Sequence, residues 1–520
     1  MEQKRCGSKR RGIPLSTVLL LLLASYPFLR AIYNIYFHSL SSIPGPRIWS
    51  ATRLPFVRSL LQGTIVHDIQ KLHRQYGPVL RIAPNEVTFA QPEAWDDIFR
   101  PPQGQFLKDP IWWRRGPGMP MSLISAIDPD EHARIRRALA PGFTPRALKG
   151  QEPFIQRYVS LLADRLRETV LAQPSSRAEM DIGPWFNFTT FDIFGDLGFG
   201  EPFDCLQNSR FHPWIALLFN SVKAAAFVSA TRFYPAIEYI LMKCIPPSLK
   251  KMQQDHFQQI VDKVHRRLNY EMDRPDIMSH VIKAGEELPI DEINVTFMVL
   301  TTAGSETTAT VLSGTMNYLI QHPDQLQRLT NEVRRRFKSG NESDMTLDSL
   351  RNLPYLNAVL SEGLRLCTPI PWVLPRVVPP GGATICGVSL PGGTPVSIQA
   401  YAMNRDPALF RHADSFLPER WLSEAATDEE SPFFSDRREA MQAFSLGARS
   451  CMGQHLAWAE MRLILARLLW SFDFEAPKNK AKWLNWEDLR TFLLVEKRPI
   501  NVGLRLRSDN CEERLSASKC

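Results

Sequence analysis

The 520-residue chain lacks the cysteine pairs of a disulfide scaffold or a zinc module. Its eight cysteines are scattered without one CxxC pair, which is typical of reduced thiols in a protein that faces the cytosol. It also lacks an internal repeat and a nucleic-acid-binding motif. The net charge of +8 comes from basic residues spread along the chain, so it indicates an anionic membrane surface or an acidic protein partner rather than DNA or RNA.

One long hydrophobic run stands near the N-terminus, at residues 13–29. Its length of roughly 17 residues is at the lower limit for a membrane-spanning helix. No small-x-small cleavage site is evident, and the Ile43-Pro44-Gly45-Pro46 segment follows, which favours a retained anchor over a cleaved signal peptide. We therefore divide the chain into a basic tail (1–11), a membrane anchor (12–37), a Pro/Gly hinge (38–50), one large domain (51–510) and a C-terminal tail (511–520).

The large domain is predicted to be mainly α with a minor β-sheet (α+β). Short strands are expected at 79–82 and 86–90, with a third at 394–399 returning to the same sheet. The longest predicted helix begins at Asp291 as its N-cap and ends before Pro323. Helical periodicity predicts helices at 131–139, 153–171, 250–269, 291–321, 323–337, 354–366 and 453–472.

Cys451 is the cysteine with a motif around it. It lies in the Gly-containing loop FSLGARSCMG, residues 444–453, directly before an apolar helix. A helix N-terminus and the nearby Arg449 both favour a thiolate, which is the form of cysteine that binds metals. The ordinary alternative is a buried structural cysteine. Zinc shared with His455 is another alternative, although no further Cys or His cluster stands at zinc-site spacing.

The loop closely resembles the haem-binding loop of the cytochrome P450 family, because Phe444, Gly447, Arg449, Cys451 and Gly453 fall at F-x-x-G-x-R-x-C-x-G. The resemblance implies a P450 fold with an N-terminal membrane anchor helix, and haem b with Cys451 as the axial ligand of its iron. Thiolate ligation favours cleavage of the O–O bond of dioxygen.

A second motif, Ala303-Gly304-Ser305-Glu306-Thr307-Thr308, lies in the middle of the longest predicted helix. Taken alone, Thr307 would most simply donate to the carbonyl of Ala303. The motif also matches A-G-x-[DE]-T-T of the family. The resemblance implies that Glu306 relays protons, that Thr307 directs them during oxygen activation, and that Gly304 leaves room above the iron.

Glu362 and Arg365 stand three residues apart on a predicted helix, where a surface ion pair is the ordinary expectation. They also match the family's E-x-x-R, and 416–421 matches its F-x-P-E-R-[FW] element. The resemblance implies a buried network of Glu362, Arg365 and Arg420 that stabilises the haem-binding core.

The haem propionates require cations. The resemblance assigns Arg376 and Arg449 to this role, together with Arg136 of the segment His132-Ala133-Arg134-Ile135-Arg136. His132 replaces the Trp of the family's W-x-x-x-R, and an imidazole can still donate to a propionate.

The implied reaction is insertion of one oxygen atom from O2 into an apolar substrate, with NADPH electrons arriving through NADPH-cytochrome P450 reductase. Cytochrome b5 and membrane lipid are further candidate partners, and Arg437-Arg438 is a candidate docking point for the reductase. The implied location is the endoplasmic reticulum membrane, with the catalytic domain in the cytosol. The basic residues of the N-terminal tail would instead hold their own end in the cytosol, so insertion as a hairpin stays open.

The segment 181–206 resembles fungal members of secondary metabolism, similar to the trichothecene hydroxylases. We expect a large apolar substrate with a terpenoid, polyketide or alkaloid scaffold, bound by 104–125, 211–231, the long helix before Gly304, 370–374 and 491–494. Two alternatives stay open. One is a haem-thiolate isomerase or dehydratase that needs neither O2 nor a reductase, and the other is a non-catalytic membrane-anchored haem sensor.

Overall fold

A computed structural model describes residues 15–507 of the chain, apart from 102, 103, 117, 271–273, 284–287 and 339–341. The predicted tails at 1–11 and 511–520 lie outside the described residues. The helices are α1 Leu15–Tyr36, α2 Arg47–Ala51, α3 Leu54–Gln62, α4 Ile65–Tyr76, α5 Glu93–Phe99, α6 Pro110–Trp113, α7 Pro129–Leu139, α8 Pro145–Leu171, α9 Gly183–Phe199, α10 Cys205–Asn208, α11 Pro213–Arg232, α12 Pro235–Cys244, α13 Pro247–Leu268, α14 Ile277–Lys283, α15 Ile290–Gln321, α16 Pro323–Arg336, α17 Leu347–Arg351, α18 Pro354–Leu366, α19 Ala400–Asn404, α20 Ser423–Thr427 and α21 Gln454–Ser471.

The strands form small sheets beside this helical mass. They are β1 Val79–Ala83, β2 Glu86–Phe89, β3 Leu107–Lys108, β4 Arg177–Asp181, β5 Val373–Val377, β6 Ala383–Ile385, β7 Val388–Leu390, β8 Pro395–Ile398, β9 Phe472–Glu475, β10 Thr491–Phe492, β11 Leu494–Val495 and β12 Asn501–Leu506. The largest sheet has the order β1-β2-β8-β5-β3. Its outer pair places Lys108 directly opposite Arg376.

The mainly helical architecture with a minor sheet is confirmed, and so are the predicted strands. β8 pairs with β2 as expected, in parallel. Several helix starts were less accurate, and α13, for example, begins at Pro247 instead of residue 250. Asp291 does not cap α15, because the N-cap position is Pro289 and Asp291 lies in the first turn. α8 begins eight residues before the predicted start at Pro153, because the Thr144 hydroxyl accepts from the Ala147 N–H and Pro145 occupies the first turn.

α9 is a central helix that the periodicity of the sequence did not predict. Almost every residue from Phe186 to Phe199 is buried, so the helix has no polar face and its sequence shows no amphipathic pattern. It packs along α15, which is also buried on most sides, and α8, α18 and α21 complete the main core. This packing fixes the position of the middle of α15, where the second motif lies.

The predicted membrane anchor at 12–37 corresponds to α1, whose described part starts at Leu15. Within the residues whose placement is described, we find no helix with the length and apolar character needed to span a membrane.

Candidate functional site

The Cys451 loop is closed by its own backbone. The N–H of Cys451 donates to the carbonyl of Phe444 at 2.9 Å, and Gly453 takes the N-cap position of α21. Gly447 has φ +74°, and a Cβ there would collide with the carbonyl oxygen of Phe99. Glycine is therefore needed both for the backbone angle and for the close approach of the neighbouring chain. The loop bends at Gly447 and leads directly into α21, as the sequence predicted.

The thiol of Cys451 is exposed, yet burial among the surrounding protein atoms raises its pKa. The Cys451 side chain therefore keeps accessible surface although protein atoms surround it closely. The N–H of Gly453 and the charge of Arg136 only partly oppose the increase in pKa. Arg136 is thus the cation that acts on the thiol most strongly, whereas the Arg449 guanidinium donates to the carbonyls of Ala126 and Ile127 at 2.6 and 2.7 Å.

The predicted propionate-binding residues do come together. Arg136 donates to the Ser450 carbonyl at 2.7 Å, beside the thiol. His132 is buried, and burial together with four surrounding cations lowers its pKa to about 3. Burial and Arg449 lower the pKa of Arg376 to about 9. These side chains repel one another in a poorly solvated place.

Lys108 completes this cluster, although no motif in the sequence indicated it. Burial, then Arg449 and Arg376, lower its pKa to about 6. Its ammonium group donates to the carbonyl of Ile124 and lies 4.6 Å from the ring centroid of Trp113. The signal that could have found it is strand register, because Lys108 lies opposite Arg376. Register across a sheet is not visible in a single sequence.

The cluster of Lys108, His132, Arg136, Arg376 and Arg449, which we call the cation cluster, fits a dianionic ligand. Within the described part of the chain, the charged groups that most affect the pKa values of Lys108, His132 and Arg376 are all cations. The Nε of Arg449 is buried without a partner there. Buried charges are normally paired, so the cluster matches the two propionates of a haem beside the Cys451 sulfur.

α15 presents one accessible strip in its otherwise buried middle, containing Ala303 and Thr307. The Thr307 hydroxyl donates to the carbonyl of Ala303 at 2.6 Å, which was the simpler of the two sequence interpretations. Its oxygen remains able to accept a further hydrogen bond. The interpretation of Gly304 was wrong, since a Cβ there would come within 3.0 Å of the Phe194 ring of α9. Glycine is needed at this position for helix packing.

Glu306 is buried on a different side of α15 from Thr307. Its Oε1 pairs with the Nζ of Lys497 at 2.8 Å, and its Oε2 accepts from the side-chain amide of Asn187 at 2.6 Å. The oxygen of Asn187 in turn accepts from Lys497 at 2.8 Å. The carboxylate is thus held by two residues that the sequence did not connect with this site. Both partners are remote from Glu306 in the chain.

The predicted network of Glu362, Arg365 and Arg420 lies fully buried. Glu362 accepts from Arg365 at 2.7 and 2.8 Å and from Arg420 at 3.2 Å. Although burial opposes it, the two guanidinium groups and the Leu417 N–H lower the pKa of Glu362. Arg420 also pairs with Asp436, a member that no motif indicated. The ordinary surface pair is excluded, and the network joins α18 to the segment that leads to the Cys451 loop.

Four of the five predicted substrate-contacting stretches converge on one apolar cluster. Trp112, Ala226, Trp372 and Phe492 are buried there, each from a different stretch. Trp112 and Trp372 pack edge to face, with ring centroids 5.1 Å apart. These two tryptophans are therefore packing elements of the wall and do not present open surface.

The candidate docking pair Arg437-Arg438 divides into two roles. Arg438 is half-buried and donates to the carbonyls of Arg420, Ala425 and Phe433, so it holds the local backbone. Arg437 is exposed but pairs with Glu93 and Glu439.

The alternative of a zinc site at Cys451 and His455 finds no support in the structure. Among the described side chains, no group of three or more His, Cys, Asp or Glu could hold a metal ion.

Comparison with known proteins agrees with this geometry. A family model described as Cytochrome P450 matches residues 44–502. The cytochrome P450 monooxygenase atr2 of Stereocaulon alpinum is 39% identical over 490 residues, which cover 94% of each chain. The averantin hydroxylase of Dothistroma septosporum is 41% identical over 488 residues, which cover 92% of this chain and 88% of that protein. The cytochrome P450 monooxygenase stcF of Emericella nidulans is 39% identical over 503 residues, which cover 94% and 100%.

Proposed function

Because the chain belongs to the cytochrome P450 family, we propose that this monooxygenase inserts one oxygen atom from O2 into a large apolar secondary metabolite. The family implies haem b ligated by a cysteine thiolate, with electrons from NAD(P)H delivered by a reductase. Bound haem supplies the oxygen-activating chemistry. The likeness to fungal members of secondary metabolism is supported by relatives such as the averantin hydroxylase.

The observation that carries the proposal is the cation cluster beside Cys451. A site with an accessible thiol and buried, mutually repelling cations along one side has a clear physical use, which is to bind a flat dianionic cofactor next to a sulfur ligand. Cys451 would supply that ligand, and the propionates would be held by Arg136, Arg376, Arg449, Lys108 and His132. Fixed charges of this kind orient a cofactor without reorganisation during turnover.

The chain's own residues account for proton handling. The Thr307 hydroxyl lies on the accessible strip of α15 and can accept or donate a proton there. Glu306 is the nearest acid along the chain, and it serves Thr307 only after it exchanges its bonds to Lys497 and Asn187 for others. Proton delivery therefore depends on a local rearrangement at Glu306.

The substrate binds beside the apolar cluster that contains Trp112, Trp372 and Phe492. The electron donor is NADPH-cytochrome P450 reductase, and cytochrome b5 and attachment to the endoplasmic reticulum membrane belong to the same proposal. The test is to express the full chain with the reductase and to search extracts of the source organism for products that gain one oxygen under 18O2. Product formation without NADPH would instead indicate the isomerase or dehydratase. Haem binding with no product would indicate the sensor.

A further inference from the structure

Glu306 is connected to α11 through two consecutive residues, Glu496 and Lys497, which lie directly after β11. Lys497 holds the Glu306 carboxylate at 2.8 Å on one side. On the other side, the carboxylate of Glu496 accepts from the Nζ of Lys223 on α11 at 2.7 Å. A single peptide unit thus links the middle of α15 to α11.

The α11 end of this connection reaches the apolar cluster. The ammonium group of Lys223 also lies 4.5 Å from the ring centroid of Phe492. Phe492 stacks on Phe227, one turn further along α11, with centroids 5.9 Å apart and an angle of 17° between the planes. Ala226 and Ala230 of the same helix are buried in the cluster. A guest bound beside the cluster that displaces α11 or the Phe227 ring therefore moves the partner of Glu496.

The two ends of the connection differ in strength. The Lys497 and Glu306 side chains are 15% and 8% exposed, whereas Lys223 and Glu496 are both 38% exposed. Breaking the inner pair leaves a charge in a poorly solvated place, but breaking the outer pair costs little. The outer pair responds first to changes at α11, and it limits how much free energy the connection transmits.

We propose that Lys497 is the positioning residue of Glu306 and that Glu496 makes this positioning sensitive to a guest bound beside the apolar cluster under α11. This inference rests on the proposed function, which makes Glu306 the acid that supplies protons. Substrate binding would then shift Glu306 from its Lys497-bound arrangement toward one that serves Thr307. Such coupling would delay proton delivery until a substrate is in place. By linkage, the state of Glu306 must also alter the affinity for a bulky guest.

The test measures this reciprocal effect with a probe of known chemistry in the haem-loaded full chain. Clotrimazole carries an iron-binding imidazole and three aryl rings, and its binding is followed by the shift of the haem absorption band. Glu306→Gln should change the clotrimazole Kd about fivefold, since an exposed pair worth about 1 kcal/mol limits the coupling. In a chain that also carries Glu496→Gln, the same substitution should change Kd by less than about twofold.

Three controls make the result specific to the connection. Imidazole alone reaches the iron without touching α11, so Glu306→Gln should have the same effect on its Kd with or without Glu496→Gln. Arg490→Met removes another cation near the Glu496 carboxylate, 3.6 Å away and outside α11, and should leave the clotrimazole coupling intact. In a chain with Lys497→Arg, Glu306→Gln should still change the clotrimazole Kd. In a chain with Lys497→Met, it should not.

If Glu306→Gln changes the clotrimazole Kd equally with and without Glu496→Gln, the inference is overturned, because Glu496 would then transmit nothing. The comparison is repeated with Lys223→Met in place of Glu496→Gln. The fold should tolerate this change because the Lys223 side chain is half-exposed. The reduced carbon monoxide spectrum of the wild-type protein is recorded first. Absence of the thiolate-type band there refutes the proposed function itself, whereas a normal band with no coupling refutes only the connection.

Discussion

Replacement of Lys108 by Met should weaken haem binding while making the haem-free chain more stable. Lys108 is buried, and its neighbouring charges are Arg376 and Arg449. Without a dianion, the folded chain must either keep this ammonium group out of water or release its proton, and both cost free energy. With the propionates present, the same ammonium group becomes a favourable partner. The two effects of Lys108→Met therefore have opposite signs.

The expected change in haem affinity follows from the charged hydrogen bond that Lys108 would donate to a propionate. A hydrogen bond to a charged group contributes about 1.5–3 kcal/mol, which corresponds to roughly a 10- to 150-fold faster loss of haem at about 1.4 kcal/mol per decade. Met has an unbranched side chain of similar length, so it keeps most of the packing against Trp113. The decrease in haem affinity then reports the charge.

The pH dependence of the haem-free chain tests the same point. Because the folded pKa of Lys108 is about 6 and its ordinary value is 10.5, the unfolded chain binds more protons between these values. The free energy of unfolding must therefore rise with pH across that window, by at most about 1.4 kcal/mol per pH unit from this group. Lys108→Met should remove this contribution, most visibly between about pH 7 and pH 9.

Haem loss is measured by transfer to excess apomyoglobin, and the stability of the haem-free chain by urea denaturation at several pH values. Lys482→Met is the matched control, because Lys482 pairs with Glu179 at 2.6 Å on the exposed surface, away from the cation cluster. Equal haem loss in the two variants would refute our account of the cluster. So would a haem-free Lys108→Met chain that is less stable than wild type at neutral pH.

Three further predictions concern the other parts of the site. Cys451→Ser should abolish the red-shifted absorption band of the reduced carbon monoxide complex, because a serine hydroxyl cannot replace the thiolate; a surviving band would show that another residue is the ligand. Thr307→Ala should raise NADPH consumption per product formed, since it removes the hydroxyl that the motif places on the accessible strip of α15. Thr307→Ser is the control. Fully coupled turnover by the alanine variant would contradict the role of Thr307 in proton delivery. Arg420→Met should lower the free energy of unfolding by about 3–5 kcal/mol, because it leaves Asp436 buried without its cation. Adding Asp436→Asn should recover part of that stability in urea denaturation, and no recovery would mean that the damage is one of packing.

Much of the fold was predictable where the signal is local. α18 has the predicted bounds, and the strands at 79 and 86 were found, because turn residues and apolar spacing act within a few positions. α9 was not predicted because a helix that is buried on all sides has no amphipathic pattern. The start of α8 was not predicted correctly because Pro153, which suggested a first turn, lies inside the helix.

The candidate site divides in the same manner. The motif around Cys451 and the Glu362 network were readable because their members stand at fixed short spacings. The sequence did not predict the roles of Lys108, Asn187, Lys497 and Asp436. Each becomes important only through a partner on a distant segment, such as Arg376 across a strand pair or Glu306 across a helix contact.

Local motifs were therefore enough to predict the chemistry of this protein, which is that of a haem-thiolate monooxygenase, because the ligand loop and the proton-handling motif are continuous stretches of chain. The arrangement of the residues that support and control this chemistry depends on the folded chain. The fold gathered cations from separate elements into one dianion-binding cluster, assigned Gly304 to packing, and turned Glu306 away from Thr307 toward Lys497 and Asn187. These outcomes depend on burial and on distances between remote residues, since both the pKa of a side chain and the strength of an ion pair are set by the surrounding fold.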